Sequence, residues 1–245
     1  MHPLDNIIWQ ALTTRQAEFA ERFGLARRFM PEISALAGFA EPTSEGYESL
    51  ARLVETGGTI RLFLEMPYQP RAGWNLVAGA PMAEMVYAGS GMPNSQRFDA
   101  ELRAADSRGR LSPHKTDPEI VELGAVDSPD MMELTALTKP GPFSQRTHEL
   151  GTYLGIRHEG KLIAMAGERL KIPGHTEVSA VCTHPEHTGH GYARSLMTEV
   201  MRRICGRGET PFLHVREANM HAIALYHKLG FSRRVLLHYA VLQKL

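Results

Sequence analysis

Glu177-Val-Ser-Ala-Val-Cys-Thr-His-Pro-Glu-His-Thr-Gly-His-Gly-Tyr-Ala-Arg194 is the stretch on which the reading of this chain turns. Its first seven residues have the β-branched and small apolar character of a strand, and Gly189 and Gly191 then bend the chain. Beyond them Leu196, Met197, Val200, Met201 and Ile204 recur at helical spacing, which predicts an amphipathic helix over about 191–205. A strand that passes through a glycine turn into a helix leaves several peptide N–H groups without partners at the positive end of the helix dipole. That arrangement suits a diphosphate, and the small Ala193 leaves room for one. An isolated Gly-x-Gly also describes a helix start that binds nothing. Two other phosphate loops do not fit: no Gly-Lys-Ser/Thr is present, and the Rossmann pattern would need glycine at 194, which is Arg.

One predicted strand (210–216) separates this segment from Asn219-Met-His-Ala222-Ile-Ala-Leu-Tyr226-His-Lys-Leu-Gly230-Phe231. Asn219 is a natural helix N-cap, and Asn219, Ala222 and Tyr226 share one helical face. Gly230 closes the helix and Phe231 supplies the apolar contact just past it.

With both segments in this order, the chain resembles the GNAT superfamily of acyl-CoA-dependent N-acyltransferases over roughly residues 118–240. The family's phosphate-loop pattern, Arg/Gln-x-x-Gly-x-Gly/Ala, falls on Thr188-Gly189-His190-Gly191-Tyr192-Ala193, and its downstream pattern on Asn219, Ala222, Tyr226, Gly230 and Phe231. Thr188 departs from the family's Arg or Gln, which puts a side-chain contribution to phosphate binding at that position in doubt. The resemblance implies a mixed, mostly antiparallel sheet whose two central strands splay apart, flanked by helices. It implies acetyl-CoA as co-substrate, with its pantetheine arm bonded to the main chain of Val181, Cys182 and Thr183. The N–H groups of residues 189–194, ending at Arg194, would take the pyrophosphate, Asn219 would touch the pantetheine arm, and no metal is required. A backbone N–H near Cys182 would face the developing oxyanion.

An amine must attack the thioester carbonyl. With a pKa of ~10.4, only about one alkyl amine in 2500 is unprotonated at pH 7, so a base or a depressed amine pKa is needed. Glu177, at the start of the strand leading into the loop, is the first candidate base, as in some family members, and Glu168 is the second; each also reads as a solvated strand carboxylate. Tyr226 matches the family's general acid for the CoA thiolate, although a tyrosine on that helix face can equally be core. Cys182 reads as a small buried residue rather than a nucleophile.

His184, His187 and His190 form His-x-x-His-x-x-His, which raises a His-ligated metallohydrolase as an alternative of another class. The glycine turn falls inside that triplet, and no His-Glu-x-x-His accompanies it. A non-catalytic acyl-CoA-binding regulatory module is the other alternative.

Outward from this core, Glu119–Gly124 predicts a short strand, and Ser128 with Pro129 predicts a capped helix to about Leu137. Thr152–His158, Glu159-Gly160 and Lys161–Leu170 predict a hairpin. The order β α β β β α β α β is that of a layered α/β (α+β) sheet. The first 40 residues read as helical, with Phe19, Phe23, Leu25 and Phe29 at roughly helical spacing. A capped helix is expected from Ser44, stopped by Gly57-Gly58, followed by extended runs at Thr59–Met66 and Trp74–Tyr87. The polar stretch 89–117 reads as a linker or surface excursion. The chain thus divides into an N-terminal α+β region (1–110), either a degenerate second acyltransferase-like unit or a lid on the acceptor site, and a GNAT-like domain (118–245). The 140–146 loop, with Phe143 and Arg146, is expected to line the acceptor pocket.

The 245 residues carry 27 basic and 27 acidic side chains, which argues against nucleic acid or an anionic membrane as a partner held by bulk charge. Two cysteines cannot form a disulfide framework. With no signal-like N-terminus and no apolar run long enough to span a bilayer, a cytoplasmic location is expected. The expected reaction moves an acetyl or short acyl group to a primary amine of a small molecule or amino acid in a ternary complex. The sequence leaves a homodimer open.

Overall fold

The computed structural model describes residues 2–89 and 119–245. From residue 90 on, the expected linker at 89–117 lies outside them. Eleven strands and five helices are described. In chain order they are α1 (Ile7–Thr13), β1 (Ala20–Phe23), β2 (Ala26–Phe29), β3 (Ala37–Phe39), α2 (Ser44–Ala51), β4 (Thr59–Leu64), β5 (Trp74–Tyr87) and β6 (Val121–Leu123). Then follow α3 (Ser128–Thr138), β7 (Tyr153–His158), β8 (Lys161–Ile172), β9 (His175–Thr183), α4 (Tyr192–Gly206), β10 (Thr210–Arg216), α5 (Met220–Lys228) and β11 (Phe231–Lys244).

The expected helix over residues 1–40 holds only for Ile7–Thr13, where Ile7, Ile8, Ala11 and Leu12 bury one face. Residues 20–39 form instead a three-stranded antiparallel sheet, β1-β2-β3. The four apolar residues used to infer a helix fit a hairpin as well, and Gly24 decides between them. Its φ of +47° turns the chain where a helix would have to continue. Asn6, just before α1, lies in the left-handed region without a side-chain capping bond, and its amide donates to the carbonyls of Phe39 and Ala40. Thr43, one residue before the expected start, caps α2 by accepting from the Gly46 amide, and that helix ends at Ala51. Ser128 begins α3 but does not cap it. Its hydroxyl donates to the Gln145 carbonyl, while the Asp127 carboxylate accepts from the Gly124 amide. The hairpin at Glu159-Gly160 forms as expected, both residues having positive φ as a tight two-residue turn requires.

The main sheet has eight strands in the order β4-β11-β5-β10-β9-β8-β7-β6, antiparallel throughout except for β9 and β10. β4 and β5 come from the first half of the chain, and β5 lies between β10 and β11. Helices α4 and α5 cover one face. There Leu196, Met197, Val200, Met201 and Ile204 pack against Leu154, Ile163, Val178, Leu213 and Val215. Burying such a side chain contributes about 1.5–3 kcal/mol, so this helix is held by its stripe more than by intrinsic propensity. The other face carries α1, whose Ile8 and Leu12 meet Leu170, Ile172 and Phe212, and α3, whose Met131 and Leu134 meet Met165 and Cys182. The expected extended run Trp74–Tyr87 is β5, and no helix among the described residues is long and apolar enough to cross a membrane.

The central feature is where pairing stops. β9 and β10 run parallel only across Thr210/His175, Pro211/Thr176 and Phe212/Glu177. Beyond that vertex they diverge, leaving Val178–Thr183 of β9 without a strand partner on the β10 side. A bulge in β9 accompanies the divergence: the register against β8 slips between Gly167/Ser179 and Met165/Cys182, and Ala180 takes up the extra residue at φ +53°.

Candidate active site

The glycine turn lies at the open end of the divergence. Gly189 and Gly191 have φ of +80° and +82°, values that would strain a residue with a Cβ. Among the described residues a Cβ built on either meets nothing within 4 Å, which leaves the space above the turn open to them. Gly191 serves as the N-cap of α4 without a side-chain cap. Among the described residues no protein atom accepts from the amides of residues 189–193. Several outward N–H groups at a helix start form a site for an anion, and the open space over two glycines fits a diphosphate. The Thr188 hydroxyl turns away to donate to the Pro185 carbonyl. His190 Nδ1 donates to the carbonyls of His187 and Thr188, and its ring stacks on Tyr192, so it braces the turn from outside. His184 Nδ1 accepts from the Glu186 amide. Among the described residues no three His, Cys, Asp or Glu side chains converge as a metal site.

Between the parted strands runs a cleft of about 310 Å³. Val181, Cys182 and Thr183 line it from β9, Asn219 and Tyr226 from α5, and Pro140, Gly141 and Pro142 from the loop after α3. Asn219 caps α5 by accepting from the Ala222 amide, and Ala222 packs toward the core instead of lining the cleft. Burial pushes the Tyr226 phenol up to about 12, and its hydroxyl has no hydrogen-bond partner among the described residues. Burial likewise lifts the Cys182 thiol to about 11, partly offset by a hydrogen bond with Thr138; a thiol so held is no ready nucleophile. Phe143 packs edge-on against Tyr153. Arg146 is exposed and engaged with Glu149 and Glu32.

Glu177 sits at the vertex, 1 % exposed. Its carboxylate accepts from Arg169 Nη2 at 2.6 Å and Nε at 2.8 Å, from His214 Nδ1 at 2.7 Å and from the Leu170 amide at 3.2 Å. Burial alone would raise its pKa, but the Arg169 charge and these hydrogen bonds outweigh it and hold the group at about 2. This placement differs from the expected free general base, because every lone pair is engaged. Glu168 is equally buried, pairs with Lys171 and Arg207, and does not line the cleft.

Sequence reasoning missed the rest of this cluster. His214 Nε2 lies 3.2 Å from Glu84 on β5, and Glu84 in turn pairs with Arg234, which reaches Asp5 at 2.8 Å. The side chains of Glu84 and His214 are fully buried, and the Phe63 ring stacks on the imidazole at 4.3 Å. With a carboxylate at each nitrogen the ring is held as imidazolium: burial lowers its pKa, but the hydrogen bonds to Glu177 and Glu84 win and raise it. Gln16 ties the N-terminal region to this floor, its amide donating to the Arg169 carbonyl and accepting from the Lys171 N–H. The Arg169–Glu177 pair was legible in principle. The two residues flank the turn at Pro173-Gly174 at nearly symmetric positions. Glu84 and Arg234 give no such signal.

Comparison with known proteins agrees with this geometry. The FR47-like protein family matches residues 153–240. The chain is 32% identical over 131 residues to the N-alpha-acetyltransferase RimI of Mycobacterium tuberculosis, covering 48% of this chain and 82% of that one. It superposes at a TM-score of 0.85, with 34% identity over the whole of both chains, on a crystal structure assigned to the GNAT family of acetyltransferases from Novosphingobium aromaticivorans. A GCN5-related N-acetyltransferase-like protein from Streptococcus suis shares the fold, with a TM-score of 0.59, 12% identity and coverage of 98% and 92% of the two chains. Parted central strands, a glycine turn with bare amides and these relatives lead to one conclusion: the chain belongs to the GNAT superfamily of acetyltransferases.

Proposed function

We propose that this protein transfers an acetyl or short acyl group from CoA to a primary amine of a small molecule or amino acid, by direct attack in a ternary complex. The observation that carries the reading is the cleft opened where β9 and β10 part, with amides at its mouth that have no partner among the described residues and the Tyr226 hydroxyl within it. On this reading the amides of residues 189–193 hold the diphosphate, with Arg194 completing the first turn of α4. The pantetheine arm lies along Val181, Cys182 and Thr183, and Asn219 bonds to it from the facing helix.

The neutral amine nitrogen attacks the thioester carbon. A backbone N–H near Cys182 faces the developing oxyanion, and the C–S bond then breaks. The sulfur gains one proton, and the proton the nitrogen loses passes through solvent in the open cleft and restores the donor. Tyr226 is the proposed donor to sulfur. With its phenol at about 12, full transfer to a free thiolate of pKa ~8.5 is uphill by about 5 kcal/mol. Donation must therefore be concerted with C–S cleavage, or the phenol must stabilise the leaving sulfur by a hydrogen bond alone. Glu177 acts as a positioning carboxylate that fixes Arg169 and His214. The N-terminal region acts as a wall on the acceptor side, since α1 and Gln16 pack on the face that carries these groups.

A thiol-release screen of acetyl-CoA against amines and amino acids tests the proposal. Release with at least one acceptor is expected. CoA binding without release from any acceptor would identify a non-catalytic module instead.

A further inference from the structure

The charges beneath the cleft alternate without a break: Asp5, Arg234, Glu84, His214, Glu177, Arg169. Their signs run minus, plus, minus, plus, minus, plus, with His214 as imidazolium. The chain begins near the surface at Asp5, and its last member is a cation at the cleft.

Glu177 occupies one edge of the Arg169 guanidinium, the edge formed by Nε and Nη2. The edge between Nη2 and Nη1 remains. Nη1 has no acceptor among the described residues, yet it is not sealed from solvent, and Arg169 lines the cleft while its side chain as a whole is only 8% exposed. A Cβ on Gly141 would approach Nη1 to 4.0 Å, so the absence of a side chain there keeps this edge open beneath the Pro140–Pro142 loop. A free planar edge with two parallel N–H groups matches a carboxylate in shape and charge. The other charged side chains that line the cleft, Lys139, Arg216 and the His214 imidazolium, are also cationic, and no acidic side chain lines it among the described residues. The thioester end of acetyl-CoA is uncharged, so it supplies no anion for this edge.

We propose that the acceptor carries a carboxylate beside its amine, as an α-amino acid does, and that Arg169 binds that carboxylate through its open Nη1/Nη2 edge. The carboxylate extends the alternating chain by one member. Arg169 lies on β8 across from Glu177 and Val178, on the vertex side of Ala180–Cys182, so an acceptor anchored there approaches the thioester from the vertex. The proposal rests on the acyltransferase reading above and specifies its substrate class.

The test compares a pool of the common L-amino acids with the pool of their α-amides, as acceptors in acetyl-CoA thiol release by the full-length protein. The amides have the less basic amine, so a site indifferent to the carboxylate would favour them. For the best acceptor, the acid is expected to exceed its amide in kcat/KM by about 10- to 100-fold, the worth of charge-assisted hydrogen bonds to a carboxylate. Arg169→Lys is expected to remove that preference and leave the KM for acetyl-CoA unchanged. If this variant fails to fold, the comparison on the unmodified protein stands by itself. Equal rates, or faster amides, overturn the proposal. Should neither pool release thiol, thermal stabilisation of the CoA-loaded protein by N-acetyl amino acids against N-acetyl amino-acid amides decides it. Stabilisation by the acids alone retains the carboxylate site and removes the catalytic reading, whereas no difference overturns the site as well.

Discussion

Replacing Gly191 by valine separates the roles of fold and ligand at the glycine turn. Among the described residues nothing lies within 4 Å of a Cβ at this position, so the main cost to the apo fold is the backbone conformation at φ +82°. For a residue with a Cβ that strain is roughly 1–2 kcal/mol, and in a chain of this size it lowers Tm by about 2–8 °C. The ligand pays far more. The valine methyl groups fill the space in which the diphosphate would approach the amides of residues 189–193. Losing two charge-assisted hydrogen bonds, at about 1.5–3 kcal/mol each, weakens CoA binding by about 3–6 kcal/mol, or roughly 10²- to 10⁴-fold. Calorimetric titration with CoA reads this loss, and titration with S-acetylpantetheine, which lacks the diphosphate, supplies the control. The control ligand should bind both proteins alike. Unchanged CoA affinity would refute the loop assignment, and equal loss of both ligands would show that the substitution had damaged the cleft itself.

Tyr226→Phe should lower kcat by about 10²-fold or more, the usual contribution of a positioned acid, with CoA affinity preserved; equal turnover in the two proteins removes Tyr226 as the acid. Gln16→Ala should destabilise the protein by about 2 kcal/mol, a fall in Tm of roughly 4–8 °C, because it strips partners from the Arg169 carbonyl and the Lys171 amide. A calorimetric scan without that shift would show that water replaces the glutamine. The raised pKa of His214 makes its contribution to stability fully present below its ordinary value of 6.5 and lost as pH rises through the folded value. Thermal stability should therefore decline on the alkaline side, and His214→Gln should flatten that decline. Glu177, held at about 2, contributes above its ordinary 4.5 and loses that contribution as pH falls toward 2, so Glu177→Gln should lessen the acid dependence of Tm.

The sequence made the second half of the chain legible because its signals are local. The Gly189/Gly191 turn, the stripe on α4, the Asn219 cap and the Glu159-Gly160 hairpin each declare themselves within a few residues. The first half misled where two periodicities coincide. Phe19, Phe23, Leu25 and Phe29 satisfy a helix and a hairpin alike, and only the left-handed Gly24 separates them. The site divided along the same line. The family resemblance pointed to backbone positions 181–183, which line the cleft, and to the glycine turn at 189–193, whereas the charges beneath the cleft come from five separate elements and the N-terminal segment. Glu84 and Arg234 are 150 positions apart, and no local pattern brings them together. The role of Glu177 could not be read without its partners, since a carboxylate with free lone pairs and one with none look the same in a sequence.

The position of β5 bears on how this molecule can be made and divided. The strand is synthesised early, yet its longest ladder, from Trp74/Lys244 to Tyr87/Phe231, is with β11, far downstream in the chain. Until β10 and β11 emerge, the nascent chain carries a 14-residue segment with both edges uncovered, the kind of edge that invites pairing between chains. Conversely, a fragment that begins after residue 118 would hold β10 and β11 with a gap one strand wide between them. Supplied separately, a peptide spanning residues 74–87 is the piece that would fill it.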